Sequence, residues 1–130
     1  MKTVLFVCVH NSGRSQMAEA FFNHLARGKA EAKSAGTHPA ERLDDNVVEA
    51  MWELGIEIYE QQPKLLTPEL LAWADRVITM GCGVEEVCPA TFVETEDWAL
   101  EDPKGKSLEY IWKIRDEIKN MVVKLLAELG

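Results

Sequence analysis

VCVHNSGRS, residues Val7–Ser15, is the stretch that decides the predicted fold. Before it, the β-branched apolar run Thr3–Val9 is typical of a buried strand. After it, an amphipathic run from Ser15 to Arg27 predicts a helix. The stretch is therefore predicted to be a strand-to-helix loop at the carboxyl end of a parallel sheet. In that position, backbone N–H groups and a helix N-terminus suit an oxyanion.

The loop holds a cysteine, five further residues and an arginine. Unpaired N–H groups and the helix dipole favour the nucleophilic thiolate form of Cys8. The guanidinium of Arg14 offers a planar fork of donors that matches two oxygens of a tetrahedral oxyanion, and Ser15 can donate its hydroxyl to the sulfur. Alternatively, Cys8 is a buried residue that ends a core strand and Arg14 is solvated, but the strand before and the helix after favour the first interpretation. The remaining N–H groups for the oxyanion come from Val9, His10, Asn11, Ser12 and Gly13.

The segment Cys8–Glu19, CVHNSGRSQMAE, resembles the phosphate-loop signature of the low-molecular-weight protein tyrosine phosphatases. It is more similar to that of the thioredoxin-coupled arsenate reductases built on the same fold. The resemblance covers almost the entire chain. It implies reduction of arsenate to arsenite, with hydrolysis of a phosphomonoester through a phosphocysteine as the alternative. A module that binds phosphate or sulfate without turnover is the third possibility.

The rest of the chain alternates predicted strands and helices, which favours an α/β fold with a parallel sheet and helices on both faces. The apolar content of the first strand predicts that it is central, and the resemblance implies a four-stranded sheet in the order 2-1-3-4. A single domain, residues 1–130, is expected. Further predicted strands are Lys29–Ala35 at an edge, Arg76–Thr79 and Phe92–Trp98. Further predicted helices run from Asp44 or Asp45 to Glu53, from Pro68 to about Ala74, and from the cap Ser107 onward, where only Arg115 interrupts an apolar stripe.

Charge and composition narrow the partners and the compartment. A net charge of −8 argues against nucleic acid and anionic membranes as partners, since both need a basic footprint. No run approaches the roughly 18 consecutive apolar residues of a membrane span. Three cysteines, an odd number, fit a reducing compartment better than a disulfide framework. We therefore expect a cytoplasmic protein, and nothing in the sequence calls for a cofactor.

Cys82 and Cys88 follow the third predicted strand, at the same end of the sheet as Cys8. They are either small buried hydrophobic residues or redox partners, because a metal site needs three or four convergent ligands. The resemblance implies the redox role, in which Cys82 forms a disulfide with Cys8 and Cys88 then moves it outward to thioredoxin or a similar thiol reductant. Five residues separate the two cysteines here, against six in the best-known branch of the reductases.

The resemblance also implies a general acid and a cation site. Asp102 precedes Pro103 and matches the Asp-Pro general acid of the family, whereas the alternative is a turn-capping aspartate. In some arsenate reductases a potassium ion supports the loop through an asparagine and nearby carboxylates. Asn11 and Glu19 match two of those positions, and Lys64 takes the place of a third carboxylate. We therefore predict activity that is insensitive to potassium.

Overall fold

A computed structural model describes residues 1–58, 60–80, 95–98, 100 and 106–129. Within these ranges it contains four strands and four helices. The strands are β1 (Lys2–Cys8), β2 (Ala30–Gly36), β3 (Arg76–Thr79) and β4 (Thr95–Asp97). The helices are α1 (Arg14–Ala26), α2 (Asp45–Trp52), α3 (Pro68–Trp73) and α4 (Leu108–Leu129).

The four strands form one parallel sheet in the order β2-β1-β3-β4, which confirms the predicted order. In the register of this sheet Cys8 pairs with Gly36, and Val7 pairs with Thr79. The carboxyl ends of β1, β2 and β3 therefore lie together. Because β1 is central and its end leads into the VCVHNSGRS loop, the loop lies where the neighbouring strands also end.

Alternate residues of β1 face opposite layers, as the period of a strand requires. Val4 and Phe6 belong to the larger apolar core with residues of α1, α2 and α4, and the Phe6 ring packs edge-on against Phe22 of α1 at 6.1 Å between centroids. Leu5 and Val7 belong to a second cluster, against which α3 packs. The prediction of helices on both faces is confirmed.

The helix ends follow the signals in the sequence. Asp44 and Thr67 cap α2 and α3 through their side-chain oxygens, and Pro68 opens α3. At the end of α1, Arg27 and Gly28 adopt positive φ angles of 51° and 83°. A left-handed residue followed by glycine stops a helix, so α1 ends within one residue of its predicted end at Arg27.

Arg115 does not simply interrupt the apolar face of α4. It is buried, and its Nη1 donates to the backbone oxygen of Ala50 at 2.9 Å and lies 3.5 Å from Glu53 Oε2. Arg115 therefore binds the last turn of α2, where carbonyl groups lack helical partners. The guanidinium satisfies one of these carbonyls and holds α2 against α4.

Several predicted element ends differ from the structure by one residue, and some elements differ by more. β1 ends at Cys8 instead of Val9, because the Val9 carbonyl turns away to accept from His38 N. Leu65 forms a parallel bridge with Gly36 and extends the β2 edge of the sheet, a pairing that the sequence did not predict. Of the predicted strand Phe92–Trp98, residues 95–97 form β4 and residues 92–94 lie outside the described residues.

Candidate active site

The loop between β1 and α1 has its carbonyl groups bonded outward. Four of them accept hydrogen bonds from backbone N–H groups of the segment after β2, and a fifth, that of Asn11, accepts from the Gln16 side chain at 3.1 Å. With the carbonyls held in this way, the amide N–H groups face the inside of the curve, which is the arrangement that binds oxyanions. The four backbone bonds are Thr37 N to Cys8 O, His38 N to Val9 O, Ala40 N to His10 O and Asp44 N to Ser12 O, at 3.3, 2.8, 2.9 and 3.0 Å.

Gly36 permits this close approach of the β2 end to the loop. A Cβ atom at Gly36 would lie 2.5 Å from the Val9 oxygen and 3.0 Å from the Cβ and the amide nitrogen of Asn11. A contact of 2.5 Å with backbone is not relieved by a side-chain rotation. Glycine is therefore required here for steric reasons.

The thiol of Cys8 lies at the base of the loop and is buried. Its Sγ is 2.8 Å from Ser15 Oγ, and it accepts the N–H of Asn11 at 3.1 Å. Because Ser15 Oγ already accepts from Asn11 Nδ2 at 2.7 Å, its own hydrogen is available to the sulfur. Both groups can donate to a negative charge on the sulfur, and the N-terminus of α1 that follows is the positive end of a helix dipole. The predicted hydrogen bond between Ser15 and the sulfur is present.

Helix α1 begins without a side-chain cap at its N-terminus. Its N-cap residue is Gly13, and the first bond of the helix runs from Met17 N to Gly13 O at 2.9 Å. In helices generally, the N–H groups of the first turn bind a capping side chain, water or a ligand. With glycine at the cap, the positive end of the helix faces the loop interior, which suits a bound anion.

Arg14, the first residue of α1, is buried at the end of the sheet. Its Nη1 donates to the backbone oxygens of Met80 and Leu100, at 2.5 and 2.7 Å. Met80 directly follows β3, and Leu100 lies just beyond β4 in the chain. The guanidinium is thus held beside the loop by the two chain segments that leave these strands.

Three predicted site residues, Cys82, Cys88 and Asp102, lie outside the described residues. Their roles remain predictions. Cys8 is the one free cysteine in the part of the chain that the structure describes. His10 contributes its backbone to the loop, as predicted, and its ring Nδ1 also donates to the His38 carbonyl at 3.1 Å.

Lys64 lies beside Glu19, the carboxylate at which its ammonium group was predicted to take the place of a cation. Its Nζ is 3.6 Å from Glu19 Oε1, which also accepts from Ser34 Oγ at 2.8 Å, and its backbone N donates to Asn11 Oδ1 at 2.9 Å. Across residues 1–58, 60–80, 95–98, 100 and 106–129, no three His, Cys, Asp or Glu side chains converge on a possible metal site. An ammonium group at this position disfavours a potassium ion at the same carboxylate.

The sequence did not point to two glutamines of the site. Gln16 is fully buried in the first turn of α1, and Gln61 donates to it from the segment before α3 at 2.5 Å. A glutamine in a helix is ordinarily a solvated residue, so its type gave no signal. The position of Gln16 directly after the loop motif was the only available indication.

The family model of the low molecular weight phosphotyrosine protein phosphatases matches residues 3–130 of this chain. The chain belongs to this family. A Synechocystis protein named "Glutaredoxin arsenate reductase" is 39% identical over 134 residues, with 100% of both chains covered. A solved structure described as "An arsenate reductase in the phosphate binding state" has a TM-score of 0.90 at 39% identity, with 100% of both chains covered.

A longer member of the same fold is also similar. The Corynebacterium glutamicum thioredoxin-dependent arsenate reductase Cg_ArsC1' has a TM-score of 0.83 at 38% identity, covering 98% of this chain and 61% of that one. Both the predicted family and the predicted fold are therefore confirmed. Among the described helices, none combines the length and the apolar character needed to cross a membrane.

Proposed function

We propose that the protein reduces arsenate to arsenite with Cys8 as the nucleophile. One observation carries this proposal: Cys8 Sγ lies within hydrogen-bonding distance of Ser15 Oγ and Asn11 N, in a loop whose carbonyl groups from Cys8 to Ser12 bond outward. This geometry places hydrogen-bond donors beside the sulfur and around the space for a tetrahedral oxyanion. The arsenate reductases among the relatives and the solved structures support arsenate as the substrate.

In the first step the oxyanion lies against the amide groups of Val9–Gly13 and the guanidinium of Arg14. The Cys8 thiolate attacks arsenic, a sulfur–arsenic bond forms, and one arsenate oxygen leaves as water. That oxygen needs a proton, which we assign to Asp102 from its place in the sequence. The loop amides and Arg14 stabilise the negative charge on the remaining oxygens.

In the second step Cys82 attacks the sulfur of Cys8. The sulfur–arsenic bond breaks, its electron pair reduces arsenic from As(V) to As(III), and arsenite leaves behind a Cys8–Cys82 disulfide. Cys88 then attacks Cys82, which frees Cys8 and leaves a Cys82–Cys88 disulfide. An external dithiol reduces this disulfide. We propose thioredoxin as that reductant and the cytoplasm, where thiols are kept reduced, as the compartment.

The test is arsenite formation in the presence of thioredoxin, thioredoxin reductase and NADPH, with a glutaredoxin and glutathione mixture in parallel. Cys82→Ser should abolish reduction. Cys88→Ser should stop after one turnover and accumulate a Cys8–Cys82 disulfide that mass spectrometry detects. Reduction at the wild-type rate by both serine variants would exclude the relay. Protection of Cys8 by phosphate with no turnover of any substrate would identify a binding module instead.

Hydrolysis of a phosphomonoester is the second candidate, because the same thiolate can form a phosphocysteine that water then hydrolyses. A groove of about 380 Å³ next to the loop, lined by Ser12, Ala40 and Arg42 among others, offers room for the organic part of such a substrate. Release of p-nitrophenol from p-nitrophenyl phosphate measures this activity. Cys82→Ser should spare it while abolishing arsenate reduction, so one variant separates the two functions.

A further inference from the structure

Gln16 is a fully buried polar residue that the proposed reaction does not use. Its side chain lies behind the oxyanion loop, on the side of α1 that faces the segment Gln61–Lys64. Buried amide groups are costly unless they are hydrogen-bonded, and this amide has a partner at both ends. Its bonds all lead to Asn11 or to residues 61 and 62.

Asn11 adopts a conformation that it needs help to keep. Its φ angle is +51°, in the left-handed region, which asparagine enters more readily than other residues apart from glycine but which is still less favourable than the right-handed region. This conformation directs the Asn11 N–H to Cys8 Sγ at 3.1 Å, and its side-chain Nδ2 reaches Ser15 Oγ at 2.7 Å. Both contacts that stabilise the nucleophile therefore depend on the orientation of one residue.

Gln16 holds that orientation through a single nitrogen atom. Nε2 of Gln16 donates to the backbone oxygen of Asn11 at 3.1 Å and to its side-chain Oδ1 at 3.0 Å. Bridging these two oxygens fixes the peptide plane after Asn11 together with its side-chain torsions. The same nitrogen lies 3.1 Å from the carbonyl oxygen of Gln62, which joins the loop to the neighbouring segment.

Gln61 binds the other end of the Gln16 amide. Its Nε2 donates to Gln16 Oε1 at 2.5 Å, so the oxygen end of Gln16 is turned toward Gln61. The nitrogen end faces the backbone oxygens of Asn11 and Gln62, which can only accept and therefore fix the direction of the amide. Lys64 N adds a further bond to Asn11 Oδ1 at 2.9 Å from the same segment.

We propose that Gln16 is a positioning residue for the nucleophile and that Gln61 supports it by binding its amide oxygen. The inference rests on the proposed function only in taking Cys8 as the nucleophile of an oxyanion loop. The ordered path runs from Gln61 through Gln16 and Asn11 to Ser15 and Cys8. Loss of the Gln16 donor frees Asn11 to leave its left-handed conformation, and both stabilising contacts to the sulfur are then weakened.

The experiment uses the full chain carrying Cys82→Ser and Cys88→Ser, so that Cys8 is the one thiol that reacts. Gln16→Met keeps the side-chain length without the amide, whereas Gln16→Glu keeps the acceptor for Gln61 and loses the donor. Two quantities are measured on folded protein at pH 7: the rate of Cys8 alkylation by iodoacetamide, and the Kd of inorganic phosphate from its protection of Cys8. We expect both Gln16 variants to raise this Kd and to slow alkylation, each by about tenfold, the factor that corresponds to one buried hydrogen bond.

Asn23→Ala is the matched structural control. Asn23 also lies on α1 and exchanges two hydrogen bonds with Ala32 of β2, so its loss lowers the melting temperature without touching the loop. If both Gln16 variants lose as much melting temperature as Asn23→Ala but keep both quantities within twofold, Gln16 is merely structural and the proposal is wrong. Gln61→Ala should shift both quantities in the same direction by a smaller factor, and no shift would overturn the part assigned to Gln61.

The result stays interpretable if arsenate is not the substrate. Neither alkylation nor phosphate protection requires turnover, so both report on the loop alone. Wild-type protein that turns over no arsenate, together with Gln16 variants that lose phosphate protection, would reject the proposed function and support the positioning role. Wild-type turnover of arsenate, together with Gln16 variants that keep the alkylation rate and the phosphate Kd of the wild type, would support the proposed function and reject the positioning role.

Discussion

Ser15→Ala removes the hydroxyl group that joins the nucleophile to its support. In the wild type this oxygen is 2.8 Å from Cys8 Sγ and accepts from Asn11 Nδ2 at 2.7 Å. Alanine leaves the thiolate with the Asn11 N–H but without the hydroxyl. It also leaves the buried Asn11 amide without the Ser15 acceptor, so the variant should be less stable as well as less active.

A hydrogen bond to a charged group contributes about 1.5–3 kcal/mol. A loss of about 2 kcal/mol from the reacting thiolate corresponds to a fall of about thirtyfold in kcat/KM for arsenate. The assay is steady-state reduction at a temperature where circular dichroism shows the variant to be folded. Thr67→Ala is the control, because Thr67 Oγ1 caps α3 by accepting from Leu70 N, and its loss should cost about 1 kcal/mol of stability with kcat/KM unchanged. A kcat/KM for Ser15→Ala within threefold of the wild type would refute the reasoning.

Three further predictions concern other parts of the chain. Gly36→Ala should lower the free energy of unfolding in urea by about 1–3 kcal/mol, because the new Cβ meets the Val9 oxygen at 2.5 Å; an unchanged midpoint would contradict this steric argument. Exchanging sodium for potassium should leave the turnover rate unchanged, because Lys64 lies 3.6 Å from the Glu19 carboxylate, and a several-fold rise would show that a cation is used. Hydrogen bonds from the backbone and the side chain of Thr3 hold the pKa of Asp75 below its ordinary value of 3.8. The ionised carboxylate therefore stabilises the fold fully above pH 3.8, and this stabilisation is lost as the pH falls through the lowered pKa. The unfolding free energies of wild type and Asp75→Asn should therefore converge below about pH 4, and a gap that stays constant down to pH 2 would count against this linkage.

The sequence predicted the parts of the fold that depend on local pattern. The apolar run that became β1 and the proline that opens α3 are short-range signals, and each element lies within one residue of its predicted position. The loop chemistry of Cys8 and Ser15 was predictable as well, because the spacing between a strand and a helix fixes which side chains share the loop.

Long-range partners were not predictable in the same way. Arg115 was taken as an interruption of an apolar stripe because its acceptor, the Ala50 carbonyl, lies 65 residues away in the chain. The bridge between Leu65 and Gly36 depends likewise on how an extended segment meets a sheet edge. The burial of Gln16 was not predictable either, since it depends on the hydrogen bond with its distant partner Gln61.

Arg14 shows why one substitution can have a composite phenotype. Its Nη1 holds the carbonyl oxygens of Met80 and Leu100, and these residues stand two positions before Cys82 and Asp102. Arg14→Lys would therefore weaken the hydrogen bonds to the Met80 and Leu100 carbonyls. It would also weaken the planar recognition of an oxyanion. Its activity loss cannot be credited to substrate affinity alone. If a genetic screen finds that Arg14 tolerates no substitution, the result reflects the loss of its hydrogen bonds to Met80 and Leu100 as much as the loss of the positive charge that binds the substrate.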